Sequence, residues 1–212
     1  MIQLEENIGF AAANNLAAAR SSAGFIALLN PDAFPDPPWL EALLRAAGRW
    51  PQAAAFGSLQ LSDQDPTRLD GAGDAYHAVG AAWRGGFGHP HRPLAGDRET
   101  FSACAAAALY RAGPWRAVGG FEPSYFCFCE DVDLGFRLRL RGWVTIQVAD
   151  AVVRHIGGAS TGSRSRFANF HGVRNLIWTF VRNMPGLLFW PLLPAHMALI
   201  GVMILVHAVT VR

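Results

Sequence analysis

The carboxyl end of the chain holds 29 consecutive residues, from Asn183 to Val211, without an aspartate, glutamate, lysine or arginine. A helix of about 20 apolar residues can span a bilayer, so this stretch is long enough for a crossing. Pro191 and Pro194 interrupt its first third and leave Ala195–Val211 as the cleanest predicted helix, near the lower limit of about 17 residues. The stretch predicts membrane contact. It leaves open a full crossing, interfacial attachment, a re-entrant hairpin or a buried amphipathic helix.

Charge is distributed unevenly along the chain. The net charge is +2, but residues 1–150 carry 12 arginines against 16 acids, whereas residues 151–212 carry six arginines and no acid. The basic end suits a membrane surface or an anionic ligand, and the lack of basic clusters argues against nucleic-acid binding. Arginines that precede the apolar stretch place the main domain on the cytoplasmic side by the positive-inside rule.

The length and the cysteines limit the kinds of protein this chain can be. A chain of 212 residues, against about 150 for an average domain, predicts one main domain with an appendage. Its three cysteines, Cys104, Cys127 and Cys129, form no Cys-x-x-Cys pair, which argues against a zinc knuckle or a disulfide scaffold. Unpaired cysteines fit a reducing compartment.

Apolar runs alternate with helical patterns over the first 155 residues. The predicted strands are Phe25–Leu29, Ala53–Leu59, Phe101–Tyr110, Val144–Val148 and Ala151–Arg154. The predicted helices run from Gly9 to about Ser22, from Pro37 to about Gly48, from Pro114 to Val118 and from Glu130 to Arg141. Residues 62–100 show no clear periodicity and are predicted to form an irregular lobe. Strands that alternate with helices favour an α/β fold.

The helix predicted at Glu130–Arg141 begins with a group of carboxylates, Glu130, Asp131 and Asp133. Like charges this close raise one another's pKa, and a carboxylate tuned in this way can accept a proton from a substrate hydroxyl. Acids also favour helix starts for structural reasons, and Asp133 can pair with Arg137 one turn later. We therefore assign the functional role to Asp131 and the structural one to Asp133.

Two further polar side chains follow predicted strands. Asp32 comes directly after the strand Phe25–Leu29, at the position where open α/β sheets place their ligands. A carboxylate there suits a hard divalent cation, although Asn-Pro-Asp is also an ordinary turn sequence. His155 ends another strand and could bind the same cation, although a lone histidine is more often a packed or solvent-facing residue.

Several short motifs occur in order along most of the chain. They are Asn7-x-Gly-Phe-x-x-x-Asn14-Asn15, Leu29-Asn-Pro-Asp-Ala33, Gly119-Gly-Phe-x-Pro-x-x-Phe126, Glu130-Asp-Val-Asp-Leu-x-x-Arg137, Gly142-Trp, His155 and Arg174-Asn175. This ordered set resembles family-2 glycosyltransferases, in particular their bacterial rhamnosyltransferase-like branch, which builds cell-surface polysaccharide. The resemblance implies a GT-A-like, Rossmann-like sheet with flanking helices.

The resemblance also implies roles for particular residues. Asp131, beside Glu130, matches the general base that deprotonates the acceptor hydroxyl for inverting attack on the sugar. Asp32 and His155 match ligands of a divalent cation, Mg²⁺ or Mn²⁺. The residues implied to bind the nucleotide-sugar donor are Asn7, Gly9, Asn14, Asn30 and Asp32. The implied partners are this donor, a glycan or lipid-linked acceptor, and the membrane. Asn30 replaces the first acid of a strict Asp-x-Asp motif, which makes the metal requirement less certain.

The start of the chain departs most from the family pattern. Members open with a strand–helix–strand unit that holds the nucleotide base, which needs about 30 residues, whereas six precede Asn7. We therefore expect an N-terminally truncated catalytic domain at residues 1–162, with an unpaired sheet edge at Phe25–Leu29. A basic connecting helix at 163–186 and a hydrophobic membrane-associated segment at 187–211 are expected to follow.

Two functions are therefore expected for the chain. The first is sugar transfer, with inversion, to a polysaccharide or lipid-linked acceptor at the cytoplasmic face of a bacterial inner membrane. The alternative is an inactive remnant that acts only as a membrane-bound binding protein.

Overall fold

The computed structural model describes residues 2–157 and 165–210 of the chain. Its strands are β1 (Phe25–Leu29), β2 (Ala33–Pro35), β3 (Ala53–Ser62), β4 (Leu69–Gly71), β5 (Asp74–Tyr76), β6 (Ala82–Arg84), β7 (Arg98–Thr100), β8 (Ala107–Arg111) and β9 (Val144–His155). Its helices are α1 (Phe10–Ala19), α2 (Trp39–Arg49), α3 (Ala112–Ala117), α4 (Glu130–Leu140), α5 (Arg166–Asn183) and α6 (Gly186–Thr210). Seven strands form one sheet in the order β1-β8-β3-β9-β2, with β4 beside β3 and β7 beside β9. The remaining two, β5 and β6, form a hairpin.

Helices cover both faces of this sheet. On one face α2 packs over Phe56 of β3 and Ile146 of β9. On the other face α1, α3 and α4 surround Tyr110 of β8 and Leu134 of α4. The sheet is mixed, because β3 runs parallel to β9 while β1 and β3 each run antiparallel to β8. The α/β layers predicted from the sequence are confirmed.

The strand boundaries differ from the predicted ones in two places. The two strands predicted at 144–148 and 151–154 are one strand, β9, because a register shift against β3 absorbs the intervening residues as a bulge. Only the end of the strand predicted at Phe101–Tyr110 is a strand, because residues before Ala107 bond elsewhere. Ser102 bridges to Asp74, and the backbone N–H of Ala105 donates to a carboxylate.

The region predicted to be an irregular lobe, residues 62–100, contains four short strands, β4 to β7. Two of them, β4 and β7, add to the main sheet, and β5 and β6 pair with each other. Each spans three residues, which is too short for a periodic sequence pattern to develop.

Strand β1 lies at an edge of the sheet. Among the described residues it pairs with β8 alone, and Leu29 at its end is 42 % exposed. A small cavity of about 210 Å³ lies between β1 and α1. The edge predicted at Phe25–Leu29 is present in the structure.

The two carboxyl-terminal helices form an antiparallel hairpin, with the turn at Met184 and Pro185. Helix α6 continues through Pro191 and Pro194, so the predicted interruption of the helix is wrong. Each proline removes one backbone donor, and both prolines lie on the exposed side of α6, where the freed carbonyls remain accessible. Among the described residues α6 is the one helix long and apolar enough to cross a membrane. The predicted domain boundary at 162–163 and Val211 lie outside the described residues.

Candidate active site

A cavity of about 930 Å³ opens at the end of β1, between the amino-terminal ends of α1 and α4 and the hairpin α5–α6. It is lined by most of the side chains implied by the sequence: Asn7, Gly9, Asn30, Asp32, Glu130, Asp131 and His155. Asn14 is the exception. Its amide donates to the carbonyl of Phe10 one turn earlier (2.9 Å), and it lines the small cavity beside β1. The structure therefore brings the predicted base and the predicted metal ligands to one cavity.

Asp131 is held by backbone donors at the start of α4. Its Oδ2 accepts a hydrogen bond from the N–H of Ala105 (3.0 Å), and its Oδ1 accepts one from the N–H of Val132 (2.9 Å). Burial raises the pKa of the Asp131 carboxyl, whereas these donors and the Arg84 guanidinium lower it. The carboxylate is therefore fixed in orientation and tuned toward accepting a proton.

Glu130 is more deeply buried than Asp131. Its Oε2 atom has no hydrogen-bond partner among the described residues. Burial, followed by the charge of Asp131, raises the pKa of Glu130 well above its usual range. Of the two carboxyls, Glu130 is thus the one without a hydrogen-bond partner on Oε2 and Asp131 the one fixed by two backbone donors.

The segment before α4 has a strained backbone. Phe126, Phe128 and Cys129 all have positive φ angles, of 65°, 69° and 61°, which side chains other than glycine rarely adopt. Strain of this kind persists where surrounding contacts fix it, and it is concentrated at functional sites. Here the amide of Asn175 on α5 donates to the carbonyls of Tyr125 (3.0 Å), Cys127 (2.8 Å) and Phe128 (2.7 Å). Helix α5 thereby holds the loop that positions Asp131.

Replacing Asn175 should therefore destabilise the protein. We expect Asn175→Ala to lower the free energy of unfolding by about 1–3 kcal/mol, because it leaves buried carbonyls without their donor. Thermal melting measures this loss. The matched control is Asn169→Ala on the same helix, since Asn169 makes no side-chain hydrogen bond among the described residues. Equal melting temperatures for the two variants would contradict the role of Asn175.

His155 lines the same cavity and is buried between two carboxylates. Its Nδ1 lies 2.7 Å from Oδ2 of Asp70, and its Nε2 lies 3.4 Å from Oδ1 of Asp32. In the tautomer that carries its proton on Nδ1, the ring would donate to Asp70 and direct the lone pair of Nε2 toward the Asp32 oxygen. Two electron-rich atoms that face each other in this way fit a cation between them, and a carboxylate behind the histidine is the usual support for a metal ligand.

The described residues contain no group of three or more histidine, cysteine or acidic side chains arranged for a metal ion. Asp32 and His155 can therefore supply two ligands, and a bound cation would take the others from water and from an anionic substrate such as a diphosphate.

The lobe at 62–100 supplies three site residues that the sequence reasoning missed. Asp70 supports His155 and also pairs with Arg84 (2.5 Å). Asp74 lines the cavity, and its Oδ2 accepts a hydrogen bond from Ser102 (2.9 Å). Burial and the charge of Asp131 raise the pKa of Asp74 well above its usual range. The available signal was Asp70-Gly-Ala-Gly-Asp74, two acids separated by small residues.

Comparisons with known proteins identify the family of the chain. The chain matches the family described as "Glycosyltransferase like family 2" over residues 3–171. It is 32% identical over 156 residues to N-acetylglucosaminyl-diphospho-decaprenol L-rhamnosyltransferase of Mycobacterium tuberculosis, covering 65% of this chain and 48% of that protein. It is 28% identical over 157 residues to the O-antigen biosynthesis protein RfbC of Myxococcus xanthus, covering 71% of this chain and 12% of that protein. The chain thus spans at most about half the length of these relatives.

Solved structures share the fold at low sequence identity. The structure of GalNAc-T7 with UDP, GalNAc and Mn²⁺ superposes with a TM-score of 0.64 at 12% identity, covering 84% of this chain and 35% of that one. The mannosyltransferase PcManGT from Pyrobaculum calidifontis, in complex with GDP-Man and Mn²⁺, gives 0.57 at 14% identity, covering 100% and 58%. The GT-A-like fold expected from the motifs is thereby confirmed. The chain belongs to the family-2 glycosyltransferases and is related to their rhamnosyltransferase-like branch.

Proposed function

We propose that the protein transfers a sugar from a nucleotide-sugar donor to a lipid-linked or polysaccharide acceptor, with inversion at the anomeric carbon. One observation carries this proposal: Asp131, fixed by two backbone donors, lines the same cavity as the Asp32–His155 pair. A general base and a pair of side chains that can bind the diphosphate, both in one cavity, are the two parts that sugar transfer needs.

The residues define the proposed course of the reaction. Asp131 accepts the proton of the acceptor hydroxyl while that oxygen attacks the anomeric carbon. The bond from this carbon to the diphosphate oxygen breaks, and the nucleoside diphosphate leaves with the bonding electron pair. Asp32 and His155 would hold a divalent cation, which neutralises charge on the diphosphate. Attack from the side opposite the leaving group inverts the configuration.

The names of two relatives support a substrate class. The mycobacterial relative is named for L-rhamnose transfer to N-acetylglucosaminyl-diphospho-decaprenol, and the Myxococcus relative is named for O-antigen biosynthesis. The first name describes a lipid-linked acceptor, and the second describes the synthesis of an O-antigen. We propose activated L-rhamnose as donor and a polyprenyl-diphosphate sugar as acceptor.

A transfer assay with the purified chain tests this proposal. It presents dTDP-, UDP- and GDP-activated sugars in turn, together with Mn²⁺ and N-acetylglucosaminyl-diphosphoprenol, and follows the mass of the acceptor. We expect the addition of one deoxyhexose from activated rhamnose. If a folded chain that binds the activated sugars transfers none of them, the proposed activity is wrong and the alternative, a membrane-bound binding protein without transferase activity, is favoured.

The pH dependence of transfer should report the state of Asp131. A base must be deprotonated, and burial raises the pKa of this carboxyl. We therefore expect kcat to rise with pH over a range above about pH 4, where an exposed aspartate titrates. Steady-state rates measured across the acid range check this. A rate that stays constant down to that pH would contradict the assignment of Asp131 as a base with a raised pKa.

We also propose that the protein is associated with the membrane on its cytoplasmic face. The supporting features are the exposed apolar surface of α6 and the excess of arginine after residue 150. In fractionated cells we expect the chain to stay in the membrane pellet through a high-salt wash and to be released by detergent. Salt screens arginine contacts but does not weaken the burial of apolar surface. Release by salt alone would show that charge, not apolar burial, holds the protein.

A further inference from the structure

Helix α6 packs against the catalytic domain along most of its length. One face points inward, with residues spaced three or four apart: Phe189, Leu193, His196, Ile200, Met203 and His207. From Phe189 to His207 the helix runs about 27 Å at 1.5 Å per residue. A contact of this length distinguishes α6 from a membrane-spanning helix, which would touch its own domain only at one end.

The contact made by the amino-terminal half of α6 is close. The ring of His196 stacks on Phe180 of α5, with centroids 4.0 Å apart and an interplanar angle of 6°. The Nδ1 atom of His196 lies 2.8 Å from the carbonyl oxygen of Val79, in the turn between β5 and β6. Gly80 in that turn leaves no room for a side chain against His196. A polar residue of α6 is therefore bound inside the domain.

The carboxyl-terminal half of α6 reaches the active site. Met203 and His207 line the same cavity as Asp131 and Asp32. Both ends of α6 are therefore at the level of the catalytic domain. If α6 crossed the hydrocarbon core, about 30 Å thick, the cavity and its carboxylates would lie within that core. Charged groups placed there without compensation are very costly, so a crossing is incompatible with this packing.

The outer face of α6 is apolar from end to end. The most exposed side chains on it are Leu187 (93%), Val209 (75%), Trp190 (72%), Leu205 (67%) and Met197 (60%). Among the described residues of the helix none is charged, and Phe170 on the adjacent α5 is exposed on the same hairpin. Tryptophan is enriched where proteins meet the membrane interface, so the exposed Trp190 among aliphatic side chains fits contact of this face with lipid.

We propose that α6 lies in the plane of the membrane surface, with this outer face in the boundary between headgroups and acyl chains, and forms the cavity wall nearest the bilayer. The occupant of the face is thus a phospholipid bilayer. On α5, Arg182 pairs with Glu122, whereas Arg166 and Arg174 form no ion pair among the described residues and complement anionic headgroups. An acceptor anchored in the bilayer would then meet the cavity beside Met203 and His207.

The topology of the carboxyl terminus tests the proposal in cells. Green fluorescent protein, which fluoresces in the cytoplasm, and alkaline phosphatase, which is active outside it, are fused in turn before Ile2 and after Arg212. An in-plane helix leaves both ends on one side, so both fluorescent fusions should be bright and both phosphatase fusions inactive. Opposite behaviour at the two ends would establish a crossing and overturn the proposal. This result does not depend on sugar transfer.

A depth measurement with the purified full chain identifies the occupant. Met197→Trp places a reporter on the outer face in the middle of α6, and the matched control Leu44→Trp places one on exposed α2, across the sheet. Both are mixed with phosphatidylcholine–phosphatidylglycerol vesicles that carry bromine either near the headgroups or near the acyl-chain ends. Trp190 already lies on the outer face, so the wild type itself should be quenched. We expect Met197→Trp to lose more emission than the wild type, mainly with the shallow bromine, and Leu44→Trp to lose no more than the wild type.

Two other outcomes of the depth measurement would overturn the proposal. Stronger quenching by the deep bromine places the middle of α6 at the bilayer centre, as in a crossing. No quenching with either lipid, together with a doubled mass in solution, assigns the outer face to a second copy of the chain.

Discussion

Asp131→Asn should reduce kcat for sugar transfer by about 10²–10⁴-fold, which is the usual contribution of a general base. The amide cannot accept the proton from the acceptor hydroxyl, whereas the shape of the cavity is retained. We expect donor binding to remain nearly intact, because the loss falls on an interaction made in the transition state. Steady-state kinetics with separate donor and acceptor titrations measure both quantities. Near-normal kcat would exclude Asp131 as the base.

The stability of this variant should change little. The single oxygen of the asparagine amide still accepts one of the two backbone hydrogen bonds. The N–H of the other donor, Ala105 or Val132, loses its acceptor at a cost of about 1–3 kcal/mol. Removing a charge whose burial raised the pKa of the carboxyl offsets part of that cost. A large loss of kcat with a small change in melting temperature is therefore the expected signature.

Asp133→Asn supplies the matched control two residues away. Asp133 is fully buried and binds Arg137 (2.7 Å) and the amide of Asn183 (2.8 Å), without lining the cavity. Breaking a buried ion pair costs about 3–5 kcal/mol, so this variant should melt at a much lower temperature. Its folded fraction should keep most of its kcat. If the two variants behaved alike, the division between a chemical and a structural aspartate would fail.

The structural half of that division, the Asp133–Arg137 ion pair, could be predicted from the sequence because it depends on local spacing. Asp133 and Arg137 are one helical turn apart, and the structure contains their ion pair. The bounds of α4 followed in the same way from acids in its first turn, arginines in its last turn and Gly142 beyond it. Local rules of this kind also predicted the strand β1 and the helix α2.

The parts that the sequence reasoning missed depend on distant partners. Asp70 becomes a support for His155 only because β4 adds to β3, which in turn runs parallel to β9. No pattern within residues 62–100 specifies that pairing. The predicted interruption of α6 was wrong for the opposite reason. A local rule about Pro191 and Pro194 predicts a break, but α6 is continuous, with Phe189 and His196 packed against Phe180 on either side of the prolines.

The Asp32–His155 pair leads to the second large expected effect, which is on metal and donor binding. We expect Asp32→Ala to weaken the Mn²⁺-dependent affinity for a nucleotide-sugar donor by at least about 10-fold, because it removes one of two available ligands. Asp70→Asn should weaken it by about 10–100-fold, because the carboxylate behind a ligating histidine fixes its tautomer and orientation. Titration calorimetry with donor, in Mn²⁺ and in excess chelator, measures both effects.

The comparison with chelator separates a lost ligand from a distorted cavity. If Asp32 and His155 bind the cation, the wild type should lose affinity when chelator is added, and Asp32→Ala should already resemble the chelated wild type. Asp36→Ala, a change to an exposed aspartate four residues along the chain, should behave as the wild type in both conditions. Asp70 also pairs with Arg84, so Asp70→Asn breaks this ion pair as well as the contact with His155. Arg84→Gln breaks the ion pair alone and therefore measures its share of the lost affinity. Mn²⁺-dependent affinity that is unchanged in Asp32→Ala would show that this carboxylate does not hold the metal, whatever the other variants do.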